Sequence, residues 1–190
     1  MRTRFLSHTE VERLRKAMRP QEWLLCWLMT ETGLRISDAL SLKWENFDHE
    51  SQSFTFRAKK TGKEGTCCIS GALFDALQNI GREGYLFKSP RRVGKPITRQ
   101  AAWKRIKRAC DICGLSPRGI ANHSFRKIFA VDMFHRQGIE AVKRALQHDR
   151  VEVTEVYALA DFVSEKNEHI PLFRKDIPVL LHLLRDLLER

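Results

Sequence analysis

Four short segments of the 190-residue sequence carry side chains that could act on a phosphate group. They are residues 32–38, 60–63, 123–126 and 146–148, and Tyr157 follows nine residues after the last segment. Phosphoryl transfer needs an in-line nucleophile and stabilisation of the charge on the non-bridging oxygens. These segments contain arginines, histidines and lysines, which are the residue types that supply such stabilisation.

The first and third segments each contribute one arginine, Arg35 and Arg126. A guanidinium is planar and permanently charged, and it pairs with phosphate oxygens through two parallel hydrogen bonds. A tyrosine hydroxyl has an unperturbed pKa of about 10 and needs a base or a positive pocket to attack. His123 and the arginines could supply both, and His148 could donate a further hydrogen bond to the phosphate.

A lysine in residues 60–63 could protonate the leaving 5′-oxygen. The sequence has two tyrosines, and Tyr85 follows a glycine among apolar residues, which favours a core or strand position. Tyr157 is therefore the candidate nucleophile, and its phosphotyrosyl product would conserve the bond energy. No nucleotide is then needed for resealing, and the pattern predicts no metal or other cofactor.

Each segment alone also has a purely structural interpretation. Arg35 could form a salt bridge at a helix end, for example with Asp38, and His123 could be a buried, hydrogen-bonded ring. His148 could cap the next helix. The lysines could belong to a solvated turn, and the structural interpretation is stronger for them than for Arg35, His123 or His148. Only the combination of segments favours catalysis.

Helical periodicity dominates the sequence around these segments. Ser7 and Glu10 form a possible capping box, Pro20 can open a second helix that Gly33 ends, and a short helix should cover residues 36–42. Later helices are predicted over the ranges 73–80, 98–113, 123–136, 139–146, 153–159 and 177–189. In the helix that Thr98 caps, the predicted buried stripe is Ala102, Ile106, Ala109 and Cys113.

Residues 44–69 change to a strand period. Residues 53–57 alternate in polarity, residues 66–69 favour a strand, and a polar turn at residues 59–65 lies between them. The sequence thus predicts a mainly α fold with a small antiparallel β-sheet (α+β). The five cysteines suggest no disulfide framework, and Cys110 and Cys113 are expected to pack in the core.

The positive charge is concentrated in one stretch. The net charge is +11, and the range 84–110 contains nine Lys or Arg residues but no Asp or Glu. Such clustering predicts contact with the phosphates of double-stranded DNA; the alternative is a solvated helix face. The candidate DNA-contact residues, with two from the turn, are Lys59, Lys63, Arg91, Arg92, Lys95, Arg99, Lys104, Arg105, Lys107 and Arg108.

Taken in order, the motifs resemble the catalytic domain of the tyrosine recombinase (phage integrase) family. The segment Thr-Gly-Leu-Arg-Ile-Ser-Asp at 32–38, the His-x-x-Arg at 123–126, and the spacings from Arg126 to His148 and from His148 to Tyr157 carry the resemblance. It implies that Arg35, His123, Arg126 and His148 activate the phosphate for attack by Tyr157. It also implies a hairpin lysine, for which Lys60 is the first candidate and Lys59 and Lys63 are competitors.

Three positions depart from the family pattern. Gln147 stands where the family usually has glycine, Lys127 stands where many members have histidine or threonine, and residues 68–70 lack the usual proline. None of these departures removes a catalytic group. They keep open an alternative, a DNA-binding or regulatory protein with little or partner-dependent activity, and a type IB topoisomerase is a further alternative within the same chemistry.

The resemblance implies a site-specific recombinase of integrase, invertase or resolvase type, encoded by a mobile element. We expect a catalytic domain at residues 1–160, a tail with an amphipathic helix at 161–190, and no N-terminal core-binding domain. The expected partners are DNA and further copies, with a tetramer on DNA and a monomer or weak oligomer without it. No membrane association and a cytoplasmic, DNA-associated location are expected.

Overall fold

The computed structural model describes residues 3–146 of the chain. These residues form six α-helices, a single 3₁₀ turn and one three-stranded antiparallel sheet, which confirms the predicted mainly α fold class. The elements are α1 (His8–Ala17), α2 (Pro20–Thr32), α3 (Ile36–Ala39), the 3₁₀ turn (Trp44–Asn46), β1 (Phe47–Asp48), β2 (Ser53–Arg57), β3 (Glu64–Cys68), α4 (Gly71–Gln78), α5 (Arg99–Ile112) and α6 (Asn122–Leu146).

The first two helices begin and end where their sequence signals predict. Ser7 caps α1 and forms both hydrogen bonds of a capping box with Glu10. Helix α2 starts at Pro20, whose missing N–H costs nothing in the first turn. It ends at Gly33, which adopts a left-handed conformation with φ of 64°. The chain can therefore turn sharply between α2 and α3.

The sheet has the order β1-β2-β3, and all its neighbours are antiparallel. Phe54 pairs with Phe47 on one side and with Cys67 on the other, and it is fully buried. The rings of Trp44 and Phe74 pack against Phe47 of β1 at tilted angles, with centroids 5.1 Å and 6.3 Å away. The sheet is therefore fixed to the helical core, and its β2–β3 turn projects from that rigid base.

Helix α5 follows a basic loop and begins at Thr98, whose side chain accepts a hydrogen bond from the Ala101 N–H. Its buried side chains are Ala102, Ile106, Ala109 and Cys110. The predicted stripe is correct at its first three positions. At the helix end it is Cys110 that is buried, whereas Cys113 is only half-buried, because Cys113 caps the helix and the chain turns away there.

Helix α6 consists of two helical stretches separated at Gly138 (φ 76°, ψ 179°), which confirms the prediction that a helix ends at this glycine and another follows it. The chain divides within this helix into two compact units, the first ending at Phe129 and the second beginning at Ala130. The core of the first unit gathers side chains from α1 to α6, including Leu14, Leu28, Leu73 and Phe125. All four candidate site residues that the structure describes belong to this unit.

Candidate active site

Arg35 lies at the turn between α2 and α3 and forms the N-cap of α3. Its carbonyl accepts hydrogen bonds from the N–H groups of Asp38 and Ala39, both at 2.9 Å. The turn depends on Gly33, because a Cβ atom there would overlap the ring of Phe129. The backbone around Arg35 is therefore fixed by the glycine turn before it and by the helix that follows it.

Arg126 lies in the first turns of α6, 91 positions after Arg35, and the fold brings it to the same turn. Its Nη1 donates a hydrogen bond to the carbonyl oxygen of Gly33, two residues before Arg35. The Arg126 side chain is buried, with 6% of its surface exposed. The two predicted catalytic arginines are thus held at one place, which concentrates positive charge there.

His123 precedes Arg126 by three positions, so both side chains lie on one face of α6. Its side chain keeps an exposed surface. Partial burial lowers the pKa of His123, and the positive charges of Arg126, Arg35, Lys127 and Arg99 lower it further. The imidazole is therefore neutral at neutral pH and can accept a proton, as a general base must.

The three hairpin lysines lie in the turn between β2 and β3, and all three are exposed. The turn is closed by the Ala58 N–H, which donates to the Lys63 carbonyl at 2.8 Å, and by the Gly62 N–H, which donates to the Ala58 carbonyl at 2.7 Å. The backbone N–H of Lys59 donates to Oδ1 of Asp38 at 3.1 Å. The start of the lysine turn is therefore attached to α3, the helix that Arg35 caps.

Asp38 was not among the predicted site residues, although it lies within the Thr-Gly-Leu-Arg-Ile-Ser-Asp segment. From the sequence, the only role predicted for Asp38 is that of a salt-bridge partner of Arg35. Its carboxylate is almost fully buried, with 1% exposed, and accepts from Ser37 Oγ and the Lys59 N–H. Asp38 therefore links the turn between α2 and α3, which contains Arg35, to the turn between β2 and β3, which contains the three lysines.

Lys127 departs from the family pattern, and its positive charge contributes to the lowered pKa of His123. The Lys127 side chain is buried, and Nζ donates to the Thr3 carbonyl at 2.8 Å and lies 4.6 Å from the centre of the Phe5 ring. Lys127 therefore fastens the N-terminal segment to α6. Another departure from the family pattern, Gln147, and the predicted residues His148 and Tyr157 lie outside the described residues.

The candidate DNA-contact residues separate into groups. Arg105 and Arg108 face the buried carboxylate of Glu22 on α2, and Lys107 donates to backbone carbonyls of Pro117 and Ile120. Arg99 begins α5 close enough to His123 to lower its pKa. The remaining candidates from the basic stretch are exposed: Arg91, Arg92, Lys95 and Lys104.

Among the described residues, no group of three or more His, Cys, Asp or Glu side chains could hold a metal ion. None of the helices in residues 3–146 is long and apolar enough to cross a membrane. The five cysteines are free thiols, with Cys26 and Cys110 buried in the core. Tyr85 is half-buried, and Lys43 Nζ lies 5.1 Å from the centre of its ring.

Solved structures share this fold. The lambda integrase dimer bound to a COC′ core site superposes with a TM-score of 0.70 at 18% identity, over 90% of this chain and 52% of that chain. The XerA recombinase superposes with a TM-score of 0.69 at 19% identity, over 90% and 67% of the two chains. The fold is therefore that of the tyrosine recombinase catalytic domain.

The sequence matches the model of the phage integrase family over residues 4–163, and the chain belongs to that family. It is 31% identical over 159 residues to the integrase of Escherichia phage P2, a match that covers 82% of this chain and 43% of that protein. It is 28% identical over 162 residues to the tyrosine recombinase XerA of Pyrococcus furiosus, covering 80% and 56%. The chain spans about half the length of the relatives it matches.

Proposed function

We propose that this protein is a site-specific DNA recombinase that cleaves and rejoins strands through a 3′-phosphotyrosyl intermediate. The observation that carries the proposal is the convergence of Arg35, His123 and Arg126, from separate parts of the sequence, on the turn after α2. Folding alone does not require two arginines, which repel each other, to lie beside a histidine at one place. A bound phosphodiester would compensate this repulsion.

In the proposed reaction, Arg35 and Arg126 pair with the non-bridging oxygens of the scissile phosphate. His148 donates a further hydrogen bond to the same oxygens. These donors stabilise the charge that develops as the phosphorus becomes five-coordinate. Since the turn between α2 and α3 that contains Arg35 is fixed before DNA binds, the protein donors need little reorganisation during the reaction.

Tyr157 provides the attacking oxygen. Its proton passes to the neutral His123, the Tyr157 Oη–phosphorus bond forms, and the bond from phosphorus to the 5′-oxygen breaks. The leaving 5′-oxygen takes a proton from the hairpin lysine, which we assign to Lys60. Lys60 follows the residue whose N–H is held by Asp38, which fixes the backbone beside it. A 5′-hydroxyl of a partner strand reverses these steps and restores a phosphodiester.

The DNA-contact surface proposed for this activity consists of exposed cations in the β2–β3 turn, in the loop before α5 and on α5 itself. The basic loop before α5 is held by a hydrogen bond from the Ser89 N–H to the Lys95 carbonyl at 2.8 Å and by one from Arg92 to the Pro96 carbonyl at 2.7 Å. A loop fixed in this way presents cations to phosphates with little entropy left to lose. The proposed contacts are Lys59, Lys63, Arg91, Arg92, Lys95, Arg99 and Lys104.

Several solved relatives are recombinases bound to DNA, including the lambda integrase dimer on its core site. By analogy we propose that this protein assembles on double-stranded DNA as an oligomer, with a tetramer as the recombining unit. Residues 1–160 would form the catalytic domain, and residues 161–190 would form a tail with an amphipathic helix. A cytoplasmic, DNA-associated location follows from this role.

A trapping assay tests the proposal. Nicked suicide substrates from the DNA that flanks the gene are incubated with the protein, and products are separated on denaturing gels. A protease-sensitive adduct in the wild type and in Tyr85→Phe, but not in Tyr157→Phe, is the expected result. No adduct from folded, DNA-bound wild-type protein would overturn it and favour a DNA-binding or regulatory role.

A further inference from the structure

Lys107 is the one predicted DNA-contact residue whose ammonium is shared between two backbone carbonyls of the described chain. It lies on the third turn of α5, and its Nζ donates to the Ile120 carbonyl at 2.7 Å and also to the Pro117 carbonyl. The stem passes Trp103, one turn earlier, with Nζ 5.3 Å from the ring centre. Lys107 therefore spans the gap between α5 and the loop that precedes α6.

That loop leads directly into the candidate active site. Ile120 is fully buried and lies three positions before His123. The Arg4 N–H donates to the Gly119 carbonyl at 2.8 Å, and the Ala121 N–H donates to Ser124 Oγ at 3.2 Å. The hydrogen bonds from Lys107 are a third contact with this loop. Of the three contacts, only this one comes from α5, and only this one involves a charged group.

We propose that Lys107 is a positioning residue that fixes the start of α6, and with it His123 and Arg126, through the carbonyls of Pro117 and Ile120. The role of those two residues rests on the proposed function. Lys107 acts on them through the backbone and does not itself touch DNA. An ammonium has three donors in a compact head, which suits the bridging of two carbonyl oxygens.

The alternative is that Lys107 binds a DNA phosphate, as its place in the basic stretch predicted. Lys104 lies on the same helix and is exposed. It therefore serves as the reference for a lysine that binds a phosphate. A phosphate contact contributes to counterion release, whereas a bond to a protein carbonyl does not. The salt dependence of DNA affinity therefore separates them.

A loosened loop would also change the surroundings of His123. Its pKa is lowered by burial and by the charges of Arg126 and Lys127 on α6, Arg35 before α3 and Arg99 on α5. Ser124→Ala removes no charge, so a rise in the pKa of His123 that it shares with a substitution of Lys107 reports a displaced or more hydrated ring.

The experiment compares Lys107→Met, Lys107→Arg and Lys104→Met in the full chain, at a temperature at which circular dichroism shows each variant folded. Ser124→Ala is a second way to loosen the same loop without any change of charge. Three quantities are measured: the slope of DNA affinity against salt, the rate of adduct formation against pH, and the pKa of His123 by NMR. His123→Gln assigns the histidine resonance.

For Lys107→Met and Ser124→Ala we expect an unchanged salt slope, a raised His123 pKa, and adduct formation on the order of 10-fold to 100-fold slower near neutral pH. Lys107→Arg, which retains a donor, should recover most of the rate. Lys104→Met should lower the salt slope by about one with the His123 pKa unchanged. A lower salt slope together with an unmoved His123 pKa in Lys107→Met would overturn the proposal.

The salt slope and the NMR titration do not depend on cleavage. If the wild-type protein forms no adduct, the proposed function fails, but these two measurements still test the role of Lys107. If the wild type forms the adduct and Lys107→Met forms it at the same rate, the positioning role fails and the proposed function stands.

Discussion

The Oδ1 atom of Asp38 accepts a hydrogen bond at 3.1 Å from the backbone N–H of Lys59, 21 positions further along the chain. Asp38 lies on the helix that Arg35 caps, and Lys59 begins the turn that contains Lys60. One buried carboxylate thus joins the candidate phosphate-binding turn to the candidate proton donor. In the proposed reaction the first binds the non-bridging oxygens of the scissile phosphate and the second protonates the leaving 5′-oxygen, so their spacing would affect the rate of cleavage.

Removal of this link should affect both stability and cleavage. In Asp38→Ala the Lys59 N–H loses its partner, and we expect a loss of about 1–3 kcal/mol in the free energy of unfolding. Adduct formation should also slow. Asp38→Asn keeps an oxygen that can accept the Lys59 hydrogen bond and should be milder in both respects. Urea unfolding and the trapping assay measure the two effects, with exposed Asp75→Ala as control; equal behaviour of Asp38→Ala and that control would contradict the role.

The sharp turn before Arg35 should tolerate no side chain at Gly33. Gly33 and Gly62 both have positive φ, at 64° and 69°, so alanine costs about 1–2 kcal/mol at either position. Only at Gly33 does the new Cβ overlap a neighbour, the ring of Phe129, whereas nothing lies within 4 Å at Gly62. Gly33→Ala should therefore lose about 1–3 kcal/mol more than Gly62→Ala, because overpacking adds to the backbone strain. Equal losses in urea unfolding would show that the ring moves aside freely.

The pKa of His123 should rise in Arg99→Gln. The histidine titrates below its ordinary value, first through burial and then through the charges of Arg126, Arg35, Lys127 and Arg99. A general base acts when neutral, so the rate falls as pH drops through its pKa. A raised pKa therefore moves the acidic limb of the rate profile to higher pH, and NMR should show the same shift. Arg91→Gln, an exposed change in the same basic stretch, should leave both unmoved; a shift of equal size there would contradict a local effect.

The basic stretch should divide into a structural part and a DNA-contact part. Glu22 is buried and accepts from Arg108 and from the Arg19 N–H at 3.1 Å, with Arg105 Nε at 3.7 Å. Arg108→Met should lower the free energy of unfolding by about 1–3 kcal/mol, since a charged hydrogen bond to a buried carboxylate is lost. Lys95→Met should leave stability unchanged and lower the salt slope of DNA binding by about one. A loss of stability in Lys95→Met together with a lower salt slope in Arg108→Met would contradict this division.

Local signals in the sequence were sufficient to predict the start of α1, both ends of α2 and the start of α5. Ser7 with Glu10, Pro20, Gly33 and Thr98 each act through bonds or dihedral angles within a few residues, so that their effects do not depend on the rest of the fold. The alternation of residues 53–57 likewise predicted β2. The resemblance to the family, carried by motifs and spacing, predicted Arg35, His123 and Arg126 as members of one site, although they lie up to 91 positions apart.

Long-range pairings could not be predicted in this way. Arg108 meets Glu22 across 86 positions, and nothing in a run of nine cations distinguishes the two that face a buried acid from the others. Asp38 was identified as part of a motif, but its partner Lys59 lies in a different element. Cys110 and Cys113 are nearly equivalent on a helical wheel, and only the turn of the chain after α5 decides which is buried.

The attachment site of DNA on the adduct tests the central claim most directly. The trapped complex is digested with protease and nuclease, and the modified peptide is sequenced by mass spectrometry. We expect one phosphotyrosyl peptide that contains Tyr157, joined to the 3′ end of the cleaved strand, and the yield should fall sharply in Arg35→Gln and Arg126→Gln. An adduct on another residue, a link to the 5′ end, or an undiminished yield in both arginine variants would contradict the account.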